Sequence, residues 1–367
     1  MELLQTFRDP AHVRTLAALV REAGATLAQQ WQRPVQVMEV CGGHTHAIYK
    51  AGLHQLVGNQ IEFLHGPGCP VCVLPKSRID ACIAMAQQAD VILATYGDVM
   101  RVPGTALSFI QAKALGADIR MVYSALDALR LAQRNPHKRV VFFALGFETT
   151  MPATALTLQQ ARHQQVQNFF VYCHHILIVP ALTALLKDQD TLIDGFIGPG
   201  HVSAVLGTAA YDFIAAEFRK PFVIAGFEPV DILQSLLMVL RQLQQGRCAV
   251  EVQYNRVVTA AGNPVAQAAL ADVFRVAPHS EWRGLGVLEQ SGLMLQPAYA
   301  QHDAALHFQL EERPEITAEA GRCGAVLKGQ IKPAQCELFG NQCTPQHPVG
   351  ALMVSSEGAC SACYQHA

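Results

Sequence analysis

Along this chain, short apolar runs alternate with helix-length amphipathic stretches, and that alternation predicts the fold class. Met1–Gln32 reads as a helix, with Val13, Leu16, Leu19 and Val20 apolar at helical spacing. The first apolar runs after it are Val35–Val40, Ile61–His65, Val91–Tyr96 and Ile119–Tyr123. A second set follows at Val140–Leu145, Phe169–Cys173, Gly195–Ile197 and Phe222–Ala225. Each run ends in a Gly-rich or polar turn before the next amphipathic segment, the pattern of parallel βαβ units.

The two sets echo each other. Phe63-Leu-His-Gly-Pro-Gly-Cys69 is matched by Phe196-Ile-Gly-Pro-Gly-His201, and Val91-Ile-Leu-Ala-Thr-Tyr-Gly-Asp98 by Phe222-Val-Ile-Ala-Gly-Phe-Glu-Pro229. The expected architecture is therefore α/β, with two similar parallel-sheet domains at 35–137 and 138–230. Beyond Asp231 a helix at Ile232–Gln245 leads into a mixed, loop-rich third domain, 231–367, against which the N-terminal segment 1–34 is expected to pack.

Composition narrows the functional classes. Of 367 residues, 51% are hydrophobic and 15% charged, and the formal charge is -2. No basic run or charge excess points to nucleic acid or an anionic membrane. The longest uncharged apolar stretch, Asn168–Leu186, carries His174, His175 and Pro180 within the strand–helix alternation, so no membrane span is expected. The N-terminus is charged throughout and resembles neither a signal nor a transit peptide, which predicts a cytoplasmic protein.

In a reducing compartment, the eleven cysteines point to metal or redox chemistry rather than to disulfides. They fall into two groups, and Cys173 and Cys248, standing alone, are expected to be small buried hydrophobes. In the first group, strand Val35–Val40 runs into Cys41-Gly-Gly-His-Thr-His46 and the next strand into Gly66-Pro-Gly-Cys-Pro-Val-Cys72. The third runs into Gly97-Asp-Val-Met-Arg101. Ligands of parallel sheets bind beyond the carboxyl ends of the strands, so Cys41, His44, Cys69, Cys72, Asp98 and Arg101 can share one cleft.

A CxxC is a zinc half-site, a redox pair or chance. Flanking Pro and Gly make this one a rigid, exposed turn on expectation, unlike a buried pair on a helix. His44 is a candidate acid/base or ligand-tuning group and His46 a weaker one. His65 reads as structural and Cys82 as core. Glu148, His201 and Glu228 either line a cleft between the domains or cap helices. No Walker A or GxGxxG pattern supports a nucleotide.

The second group lies in the tail. Cys323, Cys336, Cys343 and Cys360 supply the four thiolates that a [4Fe–4S] cluster takes. Their wide, irregular spacing differs from the tight knuckles of structural zinc. Cys363 is a spare.

Together these motifs resemble the HypD family of hydrogenase maturation factors. CGGHTHAIYKAGL (41–53), HGPGCPVCVLP (65–75), YGDVMRVPG (96–104) and LGFETTMPATA (145–155) carry the resemblance. So do GPGHVS (198–203), AGFEP (225–229), EWRGLG (281–286) and VSSEGAC (354–360), all in the family's order. The resemblance implies an assembly scaffold with redox-active thiols rather than a conventional enzyme. On it, in complex with the small chaperone HypC, the Fe(CN)2CO group of [NiFe] hydrogenases is built, with cyanide arriving from HypE and HypF. It further implies that Cys41 ligates that iron and that Cys69 and Cys72 form a redox pair facing the cluster. Cys323, Cys336, Cys343 and Cys360 would hold the cluster, while His44, Asp98 and Glu357 match polar motif positions. The chain departs at Ser361-Ala-Cys363-Tyr364, where the extra thiol can stand in for Cys360. A cluster-dependent thiol–disulfide reductase using Cys69 and Cys72 is the competing reading.

Overall fold

The computed structural model describes residues 6–188, 190, 192–311 and 320–366. Its first helix, Pro10–Trp31, starts where Asp9 accepts the Ala11 N–H with proline in the first turn, and stops at Gln32 in the left-handed region. The single helix expected over Met1–Gln32 is therefore interrupted at residues 7–9, where the chain turns before Asp9 caps the helix. Its expected start at Met1 lies outside the described residues.

All eight apolar runs are strands: β1 (Val35–Glu39), β2 (Ile61–His65), β3 (Val91–Thr95), β4 (Ile119–Met121), β5 (Arg139–Gly146), β6 (Phe169–His175), β7 (Gly195–Pro199) and β8 (Phe222–Ala225). A short β9 (Val250–Val252) joins them. They form two wholly parallel sheets, ordered β2-β1-β7-β8-β9 and β4-β3-β5-β6. β3, β7 and β8 are buried along their whole length, as expected of sheets covered by helices on both faces.

The sheets group the strands differently from the sequential division at 35–137 and 138–230. The chain lays down β1 and β2, crosses over to build the whole four-stranded sheet, then returns with β7–β9 to pair β7 beside β1. Apolar periodicity reports that a strand is buried but not which strand it lies beside, so the crossover was invisible. The N-terminal helix packs, as expected, on the segment beyond Asp231, through the helix Pro229–Gln244, and both lie over the five-stranded sheet. Ala17, Val20 and Leu27 share one core with Val35, Ile61, Val223 and the helix Pro229–Gln244.

The expected loop-rich region contains an antiparallel hairpin, β10 (Phe274–Trp282) and β11 (Gly286–Leu295). It leans on the end of β6, where the Leu177 N–H reaches the Ser291 carbonyl at 2.9 Å. Its tip explains the EWRGLG string: the Arg283 N–H donates to the Val73 carbonyl at 2.8 Å, bracing the CxxC turn. The chain's last helix, Ala359–His366, packs on the helix Gly42–Lys50 that follows β1. No helix among the described residues is long and apolar enough to cross a membrane.

Candidate iron and cluster sites

In the five-stranded sheet the connections diverge between β1 and β7, and in the four-stranded sheet between β3 and β5. Such switch points open crevices beyond the strand ends. Here the two crevices merge into one cleft of about 700 Å³. Cys41, Asp98, Phe147, Thr150, His201 and Glu357 line it, from five different segments.

Cys41 is the half-buried N-cap of the helix Gly42–Lys50. Its thiol is pushed up to about 12, first by burial, against the backbone N–H groups of Gly43 and His44, and further by the Glu357 and Glu39 carboxylates. At neutral pH it is a protonated thiol. The turn is bonded directly to the dithiol turn, since the Gly42 N–H donates to the Gly68 carbonyl at 3.0 Å. A Cβ on Gly68 would collide with the Cys41 backbone, so only glycine allows this approach.

His44 is fully buried behind Cys41, and burial lowers its pKa, leaving a neutral ring. Nε2 donates to the Gly226 carbonyl at 3.0 Å, which leaves Nδ1 as a bare acceptor with no partner among the described residues. The ring stacks on Phe227 at 4.5 Å, and His201 stacks on the same phenyl at 4.0 Å. Phe227, which sequence reasoning passed over, thus positions two imidazoles beside the cleft.

Cys69 and Cys72 are brought together by a 3-10 turn with their sulfurs 2.7 Å apart. The turn is not exposed as expected. Both thiols are buried, at 4% and 1% exposure, and only Gly68, Pro70 and Val71 of this loop reach the cleft. The C-terminal segment covers them: a Cβ on Gly358 would lie 3.1 Å from the Cys72 sulfur. Burial first, then its partner Cys69 and the Glu357 carboxylate, hold the Cys72 thiol well above the ordinary range.

The tail cysteines come together as expected. Cys323, Cys336, Cys343 and Cys360 line one small void whose remaining walls include Val326, Leu338, Phe339 and Met353. Gly350 makes room, because a Cβ there would strike the Cys323 sulfur. The Cys360 thiol is pushed up by burial and by the other three sulfurs, so the four thiolates repel one another unless a cation sits among them. Four thiolates in an apolar pocket fit an iron–sulfur cluster. Among the described residues no three His, Cys, Asp or Glu side chains converge closely enough to hold a single metal ion. Cys363 does not line the void; its thiol takes a hydrogen bond from Tyr49.

The remaining candidates are structural. Arg101 reaches the Val354 carbonyl at 3.2 Å, and the His46 ring lies 3.3 Å from that of Ser356. Glu228 caps the helix Pro229–Gln244 and pairs with Arg8. Glu148 is buried and takes the Ile178 N–H at 3.1 Å. Cys82 is core, whereas Cys173 and Cys248 are only half-buried, each donating to a carbonyl.

Fold and site define a cysteine-lined α/β protein with one open and one closed thiol site. The chain belongs to the HypD family: that family's model, described as "Hydrogenase formation hypA family", matches residues 14–367. It is 55% identical over 366 residues to the hydrogenase maturation factor HypD of Escherichia coli (strain K12), covering 100% of this chain and 98% of the relative. The HypD of Rhodobacter capsulatus is 54% identical over 370 residues, with 100% and 98% covered. That of Azotobacter vinelandii is 47% identical over 372 residues, with 100% and 97% covered. The chain's general role is hydrogenase maturation.

Proposed function

We propose that this protein is the scaffold on which the Fe(CN)2CO group of [NiFe] hydrogenases is assembled, in complex with a HypC-type chaperone and with HypE and HypF supplying cyanide. The observation that carries this reading is the solitary accessible thiol of Cys41 at the meeting point of both sheet crevices. A single protein thiolate leaves an iron ion open on its other sides, which suits a soft, low-spin iron that must accept diatomic ligands and a second thiolate from a partner. Flanking Glu39 and Glu357 favour an incoming dication as the thiol proton leaves. His44, neutral and bonded to the Gly226 carbonyl, is a fixed polar group three residues after the ligand.

Cys69 and Cys72 serve as the electron store: two thiols becoming a disulfide release two electrons and two protons. Cys323, Cys336, Cys343 and Cys360 would hold a [4Fe–4S] cluster, which passes electrons singly. The competing reading, a thiol–disulfide reductase, needs a substrate disulfide to reach Cys69 or Cys72. Their burial behind Gly68 and Pro70 disfavours it. Eleven free thiols suit the reducing cytoplasm.

Complementation of a maturation-deficient strain tests the reading. Cys41→Ser is expected to abolish hydrogenase activity while the purified variant retains its cluster iron. A fully active Cys41→Ser would contradict it.

A further inference from the structure

We propose that Glu39 is a positioning residue that locks the Cys41 turn to the dithiol turn and, through His65 and Tyr49, to the C-terminal cysteine helix. The inference deepens the reading of Cys41 as the iron ligand and rests on it.

Glu39 is the last residue of β1 and is fully buried. A fully buried carboxylate is an expensive choice at that place unless it is paired and hydrogen-bonded. Here both oxygens are hydrogen-bonded. Oε2 takes the Cys41 N–H at 3.0 Å, and Oε1 takes His65 Nδ1 at 2.8 Å together with the Thr45 hydroxyl. The first bond fixes the amide of the residue whose sulfur must point into the cleft. The third fixes the helix that follows it.

The His65 bond reaches across to the neighbouring turn. Glu39 and His65 are register partners on β1 and β2, and His65 is the residue before Gly66-Pro-Gly-Cys69. Main-chain bonds run parallel to it, with the Gly66 N–H on the Glu39 carbonyl at 2.9 Å. The His65 ring also lies 5.0 Å from the Tyr49 ring, and the Tyr49 hydroxyl donates to the Cys363 thiol. A continuous line, from the Cys41 main-chain N–H through the Glu39, His65 and Tyr49 side chains to the Cys363 thiol, therefore joins all three cysteine-bearing segments. A shift of the dithiol turn on oxidation has a rigid route to Cys41.

The test uses the full-length protein, purified anaerobically, with Glu39→Gln as the first variant. With the chaperone partner present, ferrous iron is expected to bind about 10–100-fold more weakly, the usual effect of removing a group that orients a metal ligand. Without iron, peptide-resolved mass spectrometry measures the rate at which iodoacetamide labels Cys41, before and after diamide oxidises Cys69 and Cys72. The native rate is expected to change with oxidation, and that response to be lost in Glu39→Gln and in His65→Gln, but kept in Tyr364→Phe. If Glu39→Gln fails to fold, His65→Gln, which spares the carboxylate, decides the matter by the same two readouts. A folded variant with native iron affinity and a native labelling response would overturn the proposal. If the native complex binds no iron, the scaffold reading fails on its own, while the labelling response still judges Glu39.

Discussion

The cleft at Cys41 and the void among the tail cysteines are both built from thiols, yet they are opposite kinds of site. The tail brings four sulfurs from four segments around one small, apolar space. The cleft offers one sulfur in an open crevice, surrounded by carboxylates and neutral imidazoles. A complete ligand set retains its metal, whereas an incomplete one needs a partner and can let its metal go. The buried Cys69–Cys72 pair lies between them, under the segment that leads from Gly358 into the Cys360 helix.

The largest expected effect separates the sites outright. Cys323→Ala, Cys336→Ala, Cys343→Ala or Cys360→Ala should each strip the cluster iron and its visible absorption, and Cys41→Ala should leave both intact. Iron counting and absorption spectroscopy on anaerobic protein check this. Cys363→Ala is expected to keep the cluster; losing it would move the fourth ligand from Cys360 to Cys363.

Next comes the joint between the two turns. Gly68→Ala forces a Cβ into the Cys41 backbone and should cost about 1–3 kcal/mol or more, read as a lower denaturation midpoint. Unchanged stability would mean the turns are not held in this contact.

A smaller effect concerns Glu148, whose carboxyl burial raises from 4.5 to about 7. The folded state then binds more protons than the unfolded one between those values, so stability falls as pH rises through that window and levels off above it. Glu148→Gln keeps an acceptor for the Ile178 N–H and removes the titration. It should be more stable than the native chain at pH ~8 by about 1–3 kcal/mol, with the difference gone near pH ~4. Parallel pH profiles for the two proteins would refute it.

Much of this was legible in the sequence. The apolar runs marked eight of the eleven strands, the strand-end motifs named Cys41 and His44, and the number and spacing of the tail cysteines named those four, because these are local signals. The pairing of β1 with β7 was not legible, since it depends on a crossover between distant segments. Nor was the burial of Cys69 and Cys72, which is imposed by residues almost three hundred positions later. Glu39 did leave a trace: a lone carboxylate closing an apolar strand, two residues before a cysteine, is costly enough to ask what it binds. Phe227 was legible only as part of the AGFEP string, because an aromatic residue after a strand reads as ordinary core.

The most direct measurement is infrared spectroscopy of the complex with a HypC-type chaperone, isolated without oxygen from cells that make hydrogenase. The account predicts CO and cyanide stretching bands from the native complex and their loss in Cys41→Ala, with the cluster absorption preserved. A native complex without those bands, or a Cys41→Ala complex that keeps them, would contradict it.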